Sequence, residues 1–309
     1  MDIKVDSLYA PGTLVSLNQI IRACHNVVSL CRDPSLPYLI GSKIHVSTYG
    51  MYGYAMLCGT DFRKTMNFAV TYHQLATPLV EISFHEKDGY GIWTISPVLH
   101  PEMDGQLYRF VTELQFGINI SLHRDVMGSS FVPKRIAVTY DPSDDFRMSS
   151  ELVGCPVSFG ESANQLVFDA DWLDVKPPFG SRANYVAVQT LCDELISEMT
   201  QRAGVTGRIR ELLLRDIANH PTFEETARLL CATTRTLRRQ LASQNTSFRE
   251  LLDELRAHVA MKFLRDTKMS NEDIALALGF SDGANFRRAF QRWSGQAPSG
   301  FRRTTVTPK

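Results

Sequence analysis

The sequence predicts a chain in two parts: an α+β N-terminal region, then an all-α C-terminal region holding two tandem helix-turn-helix units joined by a long helix. Three observations carry this. The stretch after residue 204 twice repeats a capped apolar helix, a tight turn and a second helix with arginines between its apolar positions. Residues 1–182 alternate long apolar helical stripes with short strand-like runs and an Asp-Gly turn. Charge is segregated. Residues 201–309 hold 19 Lys/Arg against 11 Asp/Glu, a surplus of +8, and residues 1–200 hold 14 against 22, or −8, although the whole chain has 33 of each.

The second repeat is the clearer one. Ser270 before Asn271-Glu272-Asp273 predicts a capping-box start, with an acid three residues after the cap. Ile274, Ala275 and Leu278 fall on one face, and Ala275 is small, as a close helix crossing requires. Gly279 suits a left-handed turn. Asp282 caps the next helix, whose Phe286 and Phe290 point inward while Arg287 and Arg288 point outward. In the first repeat Thr222-Phe223-Glu224-Glu225 is a full capping box, and Ala227 and Leu230 take the parts of Ala275 and Leu278. Thr233 caps a helix with Leu237 and Leu241 inward. Cys231 stands where the other copy has Gly279, a departure from the glycine rule. Between the repeats, Ser247-Phe248-Arg249-Glu250 reads as another capping box. It opens a helix to about Leu264 with Leu251, Leu255, Val259 and Phe263 as its stripe.

A basic C-terminal third is the electrostatic footprint of a nucleic-acid-binding domain. The motifs sharpen this: Thr236-Leu237-Arg238-Arg239, Ile274-Ala275 with Leu278-Gly279-Phe280, Phe286-Arg287-Arg288-Ala289-Phe290, Gly295, Pro298 and Phe301-Arg302. Over roughly residues 205–303 they resemble the AraC/XylS family of bacterial transcription regulators. The resemblance implies two recognition helices in successive major-groove segments of double-stranded DNA. The candidate DNA contacts are Thr233, Arg235, Thr236, Arg238 and Arg239 in the first helix, and Gly283, Asn285, Arg287 and Arg288 in the second. Arginine suits guanine O6/N7 and asparagine suits adenine N6/N7; which of these side chains read bases and which hold phosphates stays open.

In the N-terminal region, residues 13–32 read as a helix with Leu14, Leu17, Ile20, Ile21, Cys24, Val27, Val28 and Leu30 on its apolar face. Thr60 starts a second helix to about Leu75. Val80–Phe84 and Tyr90–Ile95 read as a hairpin turning through Glu86-Lys87-Asp88-Gly89. Glu102 to about Ile120 is a further helix, and Ile136–Tyr140 and Gln165–Phe168 are strands. The order of these pieces, with Tyr49 to Met56, Pro156 to Phe159 and Asn164 to Phe168, resembles the arabinose-binding type of N-terminal domain found in one branch of the same family. That implies an effector-sensing domain over 1–182, without identifying the effector. The glycines and tyrosines of Tyr49 to Tyr54 either line a pocket or shape a turn with half-buried packing. His73, His85, His100 and His123 are read as ligand contacts or general bases, or as surface histidines. Asp141, Asp144 and Asp145 sit among Pro and Ser, as in a solvated loop.

Residues 174–182 read as a loop. Helix 183–199, with Tyr185, Val188, Leu191, Cys192, Leu195 and Met199 on one face, is a dimerisation helix or packs on its own domain. The organisation expected is 1–182 effector-sensing, 183–203 helix and linker, and 204–309 DNA-binding. Cysteines at 24, 31, 58, 155, 192 and 231 form no CxxC pair, and the histidines do not join them at ligand spacing. No metal, no cofactor and no membrane segment is expected, and the place of action is the cytoplasm. The partners expected are promoter DNA, RNA polymerase, a small-molecule effector and a second copy of the chain. The rival readings are a repair enzyme with an appended DNA-binding module, with Cys155 as its nearest nucleophile, and an architectural DNA binder without an effector.

Overall fold

The computed structural model describes residues 15, 17–30, 33–98, 100, 102–142, 150–202, 204–244 and 246–305. Along the chain run α1 (Leu17–Leu30), α2 (Leu36–Ser42), α3 (Gly50–Cys58), α4 (Phe62–Tyr72), β1 (Val80–Lys87), β2 (Tyr90–Pro97), α5 (Gly105–Met127) and β3 (Arg135–Ala137). Then come α6 (Ser150–Val153), β4 (Val157–Ser158), β5 (Gln165–Asp169), α7 (Arg182–Arg202) and α8 (Gly204–Arg215). The C-terminal part holds α9 (Phe223–Leu229), α10 (Thr234–Ser243), α11 (Phe248–Asp266), α12 (Asn271–Ala277), α13 (Gly283–Ser294) and α14 (Pro298–Thr305). Two compact units result: Met1–His45, Ala76–Val98 and Met103–Val175 in one, and Val46–Leu75, Leu99–Glu102 and Lys176–Lys309 in the other.

The first unit is a five-stranded sheet in the order β1-β2-β5-β3-β4 with helices. Asp88 (φ +52°) and Gly89 (φ +80°) close the β1–β2 hairpin, both left-handed as a two-residue primed turn demands. The turn is tighter than the sequence suggests: Lys87 pairs with Tyr90, so Glu86 and Lys87 belong to the strand. Strand β3 stops at Ala137, short of the expected Tyr140. The Thr139 N–H turns away to the Oδ1 of Asn164 (2.9 Å). Trp93, Ile95, Phe131, Ile136, Leu166 and Phe168 fill the core under the sheet.

Helix α5 is the spine of this unit. Asp104 caps it through the Leu107 N–H (2.8 Å), and it ends at Gly128 (φ +99°). It outruns the expected Ile120 by two turns because both faces are covered. Thr112, Glu113, Gln115, Asn119, Ser121 and His123 are buried along with its apolar residues, which erases the stripe that marks a helix end. Helix α2 is missing from the sequence reading. It crosses α5 glycine to glycine: a Cβ on Gly41 would lie 2.1 Å from the Leu114 carbonyl oxygen, and one on Gly117 would lie 2.5 Å from that of Tyr38. Helix α1 buries only Ile21 of its broad expected face, and Leu30 is exposed; Leu14 lies outside the described residues.

In the second unit the run Tyr49 to Met56, open between pocket and packing, is the start of a helix. Gly53 sits against residue 46, where a Cβ would meet the Val46 carbonyl oxygen at 1.8 Å. Tyr52 is buried in a ring cluster, 5.7 Å from Phe68, which stacks on Tyr72 at 4.5 Å and meets Tyr185 edge-on. Asp61 rather than Thr60 caps α4, accepting from the Lys64 N–H. Helix α7 departs from its expected single apolar face. Val188 and Cys192 are buried, whereas Val186, Leu191 and Leu195 are exposed.

The C-terminal helices build two clusters on one shared helix. Val205, Ile209 and Leu213 of α8, Ala227 of α9, Leu237 and Leu241 of α10, and Leu251, Leu252 and Leu255 of α11 form one. Ala257, Ala260, Met261 and Leu264 of α11, Ile274, Ala275 and Leu278 around α12, Phe286 and Phe290 of α13, and Phe301 form the other. Each fully buried large side chain contributes about 1.5–3 kcal/mol. Sequence periodicity put Val259 and Phe263 on the stripe of α11; they lie at its margin, since the helix changes face midway to serve the second cluster.

Candidate nucleic-acid interface

The two helix pairs, α9–α10 and α12–α13, are built alike. Thr222 accepts from the Glu225 N–H (3.2 Å) and the Glu225 carboxylate accepts from the Thr222 N–H (2.8 Å); Ser270 and Asp273 do the same at 3.1 and 3.1 Å. The N–H and hydroxyl of Thr222 hold the Glu225 carboxyl, and the hydroxyl (2.7 Å) and N–H of Ser270 hold the Asp273 carboxyl, below the usual carboxylate range. For Ser247 the forward bond, from the Glu250 N–H, is the half of the expected box that is seen. Both pairs turn through a left-handed residue, Cys231 at φ +52° and Gly279 at φ +74°.

The second helix of each pair starts at a side-chain cap: Thr233 accepts from the Thr236 N–H (3.1 Å), and Asp282 from the Asn285 N–H (2.7 Å). With Leu237, Leu241, Phe286 and Phe290 turned in, the arginines turn out. Arg235, Arg238 and Arg239 are exposed on α10, and Arg287 and Arg288 on α13. Arg238 lies over the Phe223 ring at 5.6 Å, which holds its stem against α9. Among the described residues Arg235, Arg239 and Arg287 show no ion pair. Arg288 donates to the Asn285 Oδ1 (2.7 Å), and the Asn285 amide donates to Ser281 Oγ (2.6 Å) and Asp282 Oδ2 (2.9 Å). Asn285 is thus committed within its own cap. Thr233 is exposed and bonded to Thr236 (2.9 Å between hydroxyls). Gly283 is buried, with the Glu272 carboxylate 2.5 Å from where its Cβ would be.

The supporting contacts came from no sequence signal, although Arg302 itself stands in a family motif. Arg256 of α11 donates to the Gly279 carbonyl (3.3 Å) and lies over the Phe280 ring at 4.8 Å, tying the second turn to the shared helix. Arg302 donates to the carbonyls of Thr267 and Met269. Glu254 takes a bidentate pair from Arg210 (2.7 and 2.9 Å), and Asp253 takes Arg292 (3.0 Å). Such partners, far apart in sequence, leave no periodic trace.

Of the N-terminal candidates, His85 is exposed, His73 bonds the Val70 carbonyl, and His100 accepts from the Glu102 N–H. His123 is a core residue: its Nε2 accepts from the Trp93 indole (3.0 Å) while Nδ1 faces the Asn119 carbonyl (2.6 Å). Burial drops its pKa to about 4, so it stays neutral. Burial pushes the Cys155 thiol up to about 11, the opposite of what a thiolate nucleophile needs. Asp144 and Asp145 lie outside the described residues. Among the described residues no cluster of metal-binding side chains occurs, and no helix is long and apolar enough to cross a membrane.

A family model described as the arabinose-binding domain of AraC transcription regulator matches residues 1–176, and a helix-turn-helix domain model matches 226–304. The chain belongs to the AraC family of transcription regulators. It pairs that family's N-terminal arabinose-binding-type domain with a helix-turn-helix DNA-binding domain. The regulator is 27% identical over 300 residues to the ornithine utilization regulator of Pseudomonas aeruginosa, spanning 97% of this chain and 88% of that protein. It is 26% identical over 270 residues to the regulator VqsM of the same species, spanning 85% of this chain and 82% of that one. It shares its fold with the crystal structure of the transcriptional regulator CdpR from Pseudomonas aeruginosa, with a TM-score of 0.52 at 23% identity, covering 98% of this chain and 99% of that one.

Proposed function

We propose that this regulator reads DNA with two tandem helix-turn-helix units, α9–α10 and α12–α13, whose second helices enter successive major-groove segments on one face of the duplex. The observation carrying this is the matched build of the two pairs on one shared helix, with Arg235, Arg238 and Arg239 exposed on one and Arg287 and Arg288 on the other. Thr233, Thr236, Gly283 and Asn285 belong to the caps that open the two helices. There they position backbone N–H groups toward phosphates, while the arginines reach base edges. The functional division follows 1–182 for sensing, 183–203 as connecting helix and 204–309 for DNA.

Residues 1–182 take a small molecule that binds two states of the regulator unequally, which is the condition for any ligand to regulate. A relative that governs ornithine utilisation supports a small nitrogenous metabolite over a lipid. The exposed Val186, Leu191 and Leu195 of α7 supply a face for a second copy of the chain. The bound dimer works at promoters in the cytoplasm, with RNA polymerase as partner and no chemistry of its own. The test is footprinting on the regulator's own promoter. Two protected segments about one helical turn apart support the reading; a single protected segment that survives loss of the Arg238 side chain overturns the tandem assignment.

A further inference from the structure

Helix α5 passes a layer of polar groups between its first turns and the segments that follow β3 and precede β5. Almost every group there is paired. The Asn164 amide donates to the Ile95 carbonyl (3.2 Å) and to Tyr108 Oη (2.7 Å), and its Oδ1 accepts from the Thr139 N–H and hydroxyl (2.9 and 3.2 Å). Tyr108 Oη also meets Thr139 Oγ1 at 3.2 Å. Tyr140 donates its hydroxyl to Glu113 Oε1 at 2.9 Å. The exception is the other oxygen of that carboxyl. Glu113 is 0% exposed, and its Oε2 is the one buried side-chain atom without a hydrogen-bond partner among the described residues of this unit.

A buried acceptor left unmade costs free energy that a protein without use for it readily evolves away. A carboxyl costs more than a neutral acceptor, since an isolated charge is far more expensive to bury than an isolated dipole. A neutral donor such as water would fill the lone pair but do little for the charge, which burial disfavours. An ammonium group fills both needs in a short charge-assisted bond. Rings suited to a cation stand beside it: Tyr140 holds Glu113 directly, and Phe159 meets Tyr140 edge-on at 6.3 Å between centroids. Burial raises the Glu113 carboxyl to about 7; Arg109, one turn before it with its guanidinium 5.1 Å over the Tyr140 ring, offsets part of that rise, and a bound ammonium would draw the carboxyl to its ionised form.

We infer that Glu113 Oε2 is the anchor for the ammonium group of the regulator's effector, a small primary amine. This rests on the reading above that residues 1–182 sense a small molecule, and it names the chemical class that they take.

The test uses the full chain. Putrescine, L-lysine and n-butylamine are compared with N-acetylputrescine, n-butanol and butyrate by thermal shift and calorimetry. At least one free amine raises the melting temperature, and its acetylated or hydroxyl counterpart does not. Glu113→Gln keeps the acceptor for Tyr140 and loses the charge. It lowers amine affinity by roughly 10–100-fold, read by calorimetry on the folded variant. Glu113→Asp, charged but one methylene shorter, falls between the two. The assignment is overturned by amines that act equally on Glu113→Gln, or by failure of all three amines on the wild type, as a buried water on Oε2 would give. A neutral compound that binds the wild type and Glu113→Gln alike also overturns it while leaving small-molecule sensing intact. A promoter response that survives deletion of residues 1–175 overturns the sensing reading itself.

Discussion

The two helix pairs use the same backbone and differ at one turn. Cys231 and Gly279 both adopt positive φ, +52° and +74°. At Cys231 the side chain is exposed, and the cost is the intrinsic one of a left-handed L-residue, about 1–2 kcal/mol. At Gly279 a Cβ would lie 2.2 Å from the Ala218 carbonyl oxygen, a backbone atom that cannot step aside. The conformation asks for glycine in both pairs, but only the second pair also needs it for space. A left-handed turn is therefore a preference until another segment packs on it; then it becomes a requirement.

Gly279→Ala breaks the comparison most severely. It should destabilise the C-terminal helices by about 3 kcal/mol or more, through strain and displacement of the 216–219 segment, read as a lowered melting temperature. The matched change Cys231→Ala should fall within about 0.5 kcal/mol of wild type. Equal losses at the two turns would refute the packing explanation.

A similar contrast separates two buried groups of α5. Burial raises Glu113 from its ordinary 4.5 to about 7 and lowers His123 from 6.5 to about 4. Glu113 contributes stability that is full below pH 4.5 and lost as pH rises through 7. His123 contributes stability that is present above pH 6.5 and lost as pH falls toward 4. Each amounts to about 3 kcal/mol in order of magnitude, with opposite slopes between pH 4.5 and 6.5. Glu113→Gln should therefore unmask a rise in stability with pH over that window in denaturant titrations. An unchanged pH profile would remove Glu113 from the account.

Arg238→Ala and Arg287→Ala sharpen the comparison at the DNA. Each should cost about 1–3 kcal/mol of specific affinity without lowering the melting temperature. If both helices read bases, each variant relaxes selectivity in a different half of the site, measured on a library of operator variants. A loss confined to Arg287→Ala would make α13 the sole reader. Smaller still, Thr222→Ala and Ser270→Ala should each lose about 1 kcal/mol, because both boxes are fully made. A several-fold difference between the two would show that the pairs are less alike than their hydrogen bonds suggest.

Much of the C-terminal part is legible in the sequence. Its signals are local: Ser270 with Asp273, Thr222 with Glu225, and Phe286 with Phe290 lie within one turn of each other. The N-terminal unit was legible where local rules act, as at Asp88-Gly89; the helix expected from Glu102 begins at Gly105, behind an Asp104 cap that the sequence reading did not single out. Helix α2 escaped because its seven residues offer too little periodicity. Its fit depends on Gly41 touching Gly117, far along the chain. The inward residues of the proposed reading helices were legible, but the contacts that support them were not: Arg256 reaches Gly279 and Arg302 reaches Thr267 across folded distances that sequence spacing does not encode. Glu113 was missed for the same reason, since a carboxylate on a helix reads as solvated until both faces of that helix are covered.

Helix α11 gives its Leu251, Leu252 and Leu255 to one cluster and its Ala257, Ala260, Met261 and Leu264 to the other, while Ile217 lies beside both. No cut leaves either pair with a whole interior, because every break near residue 256 strands one apolar half of the helix. Recombination can thus exchange this segment between genes only as a block. Drift within the block must keep both halves of one helix compatible with two partners at once. The unit that must stay intact is the seven-helix assembly α8–α14, because neither pair has a closed interior without the shared helix.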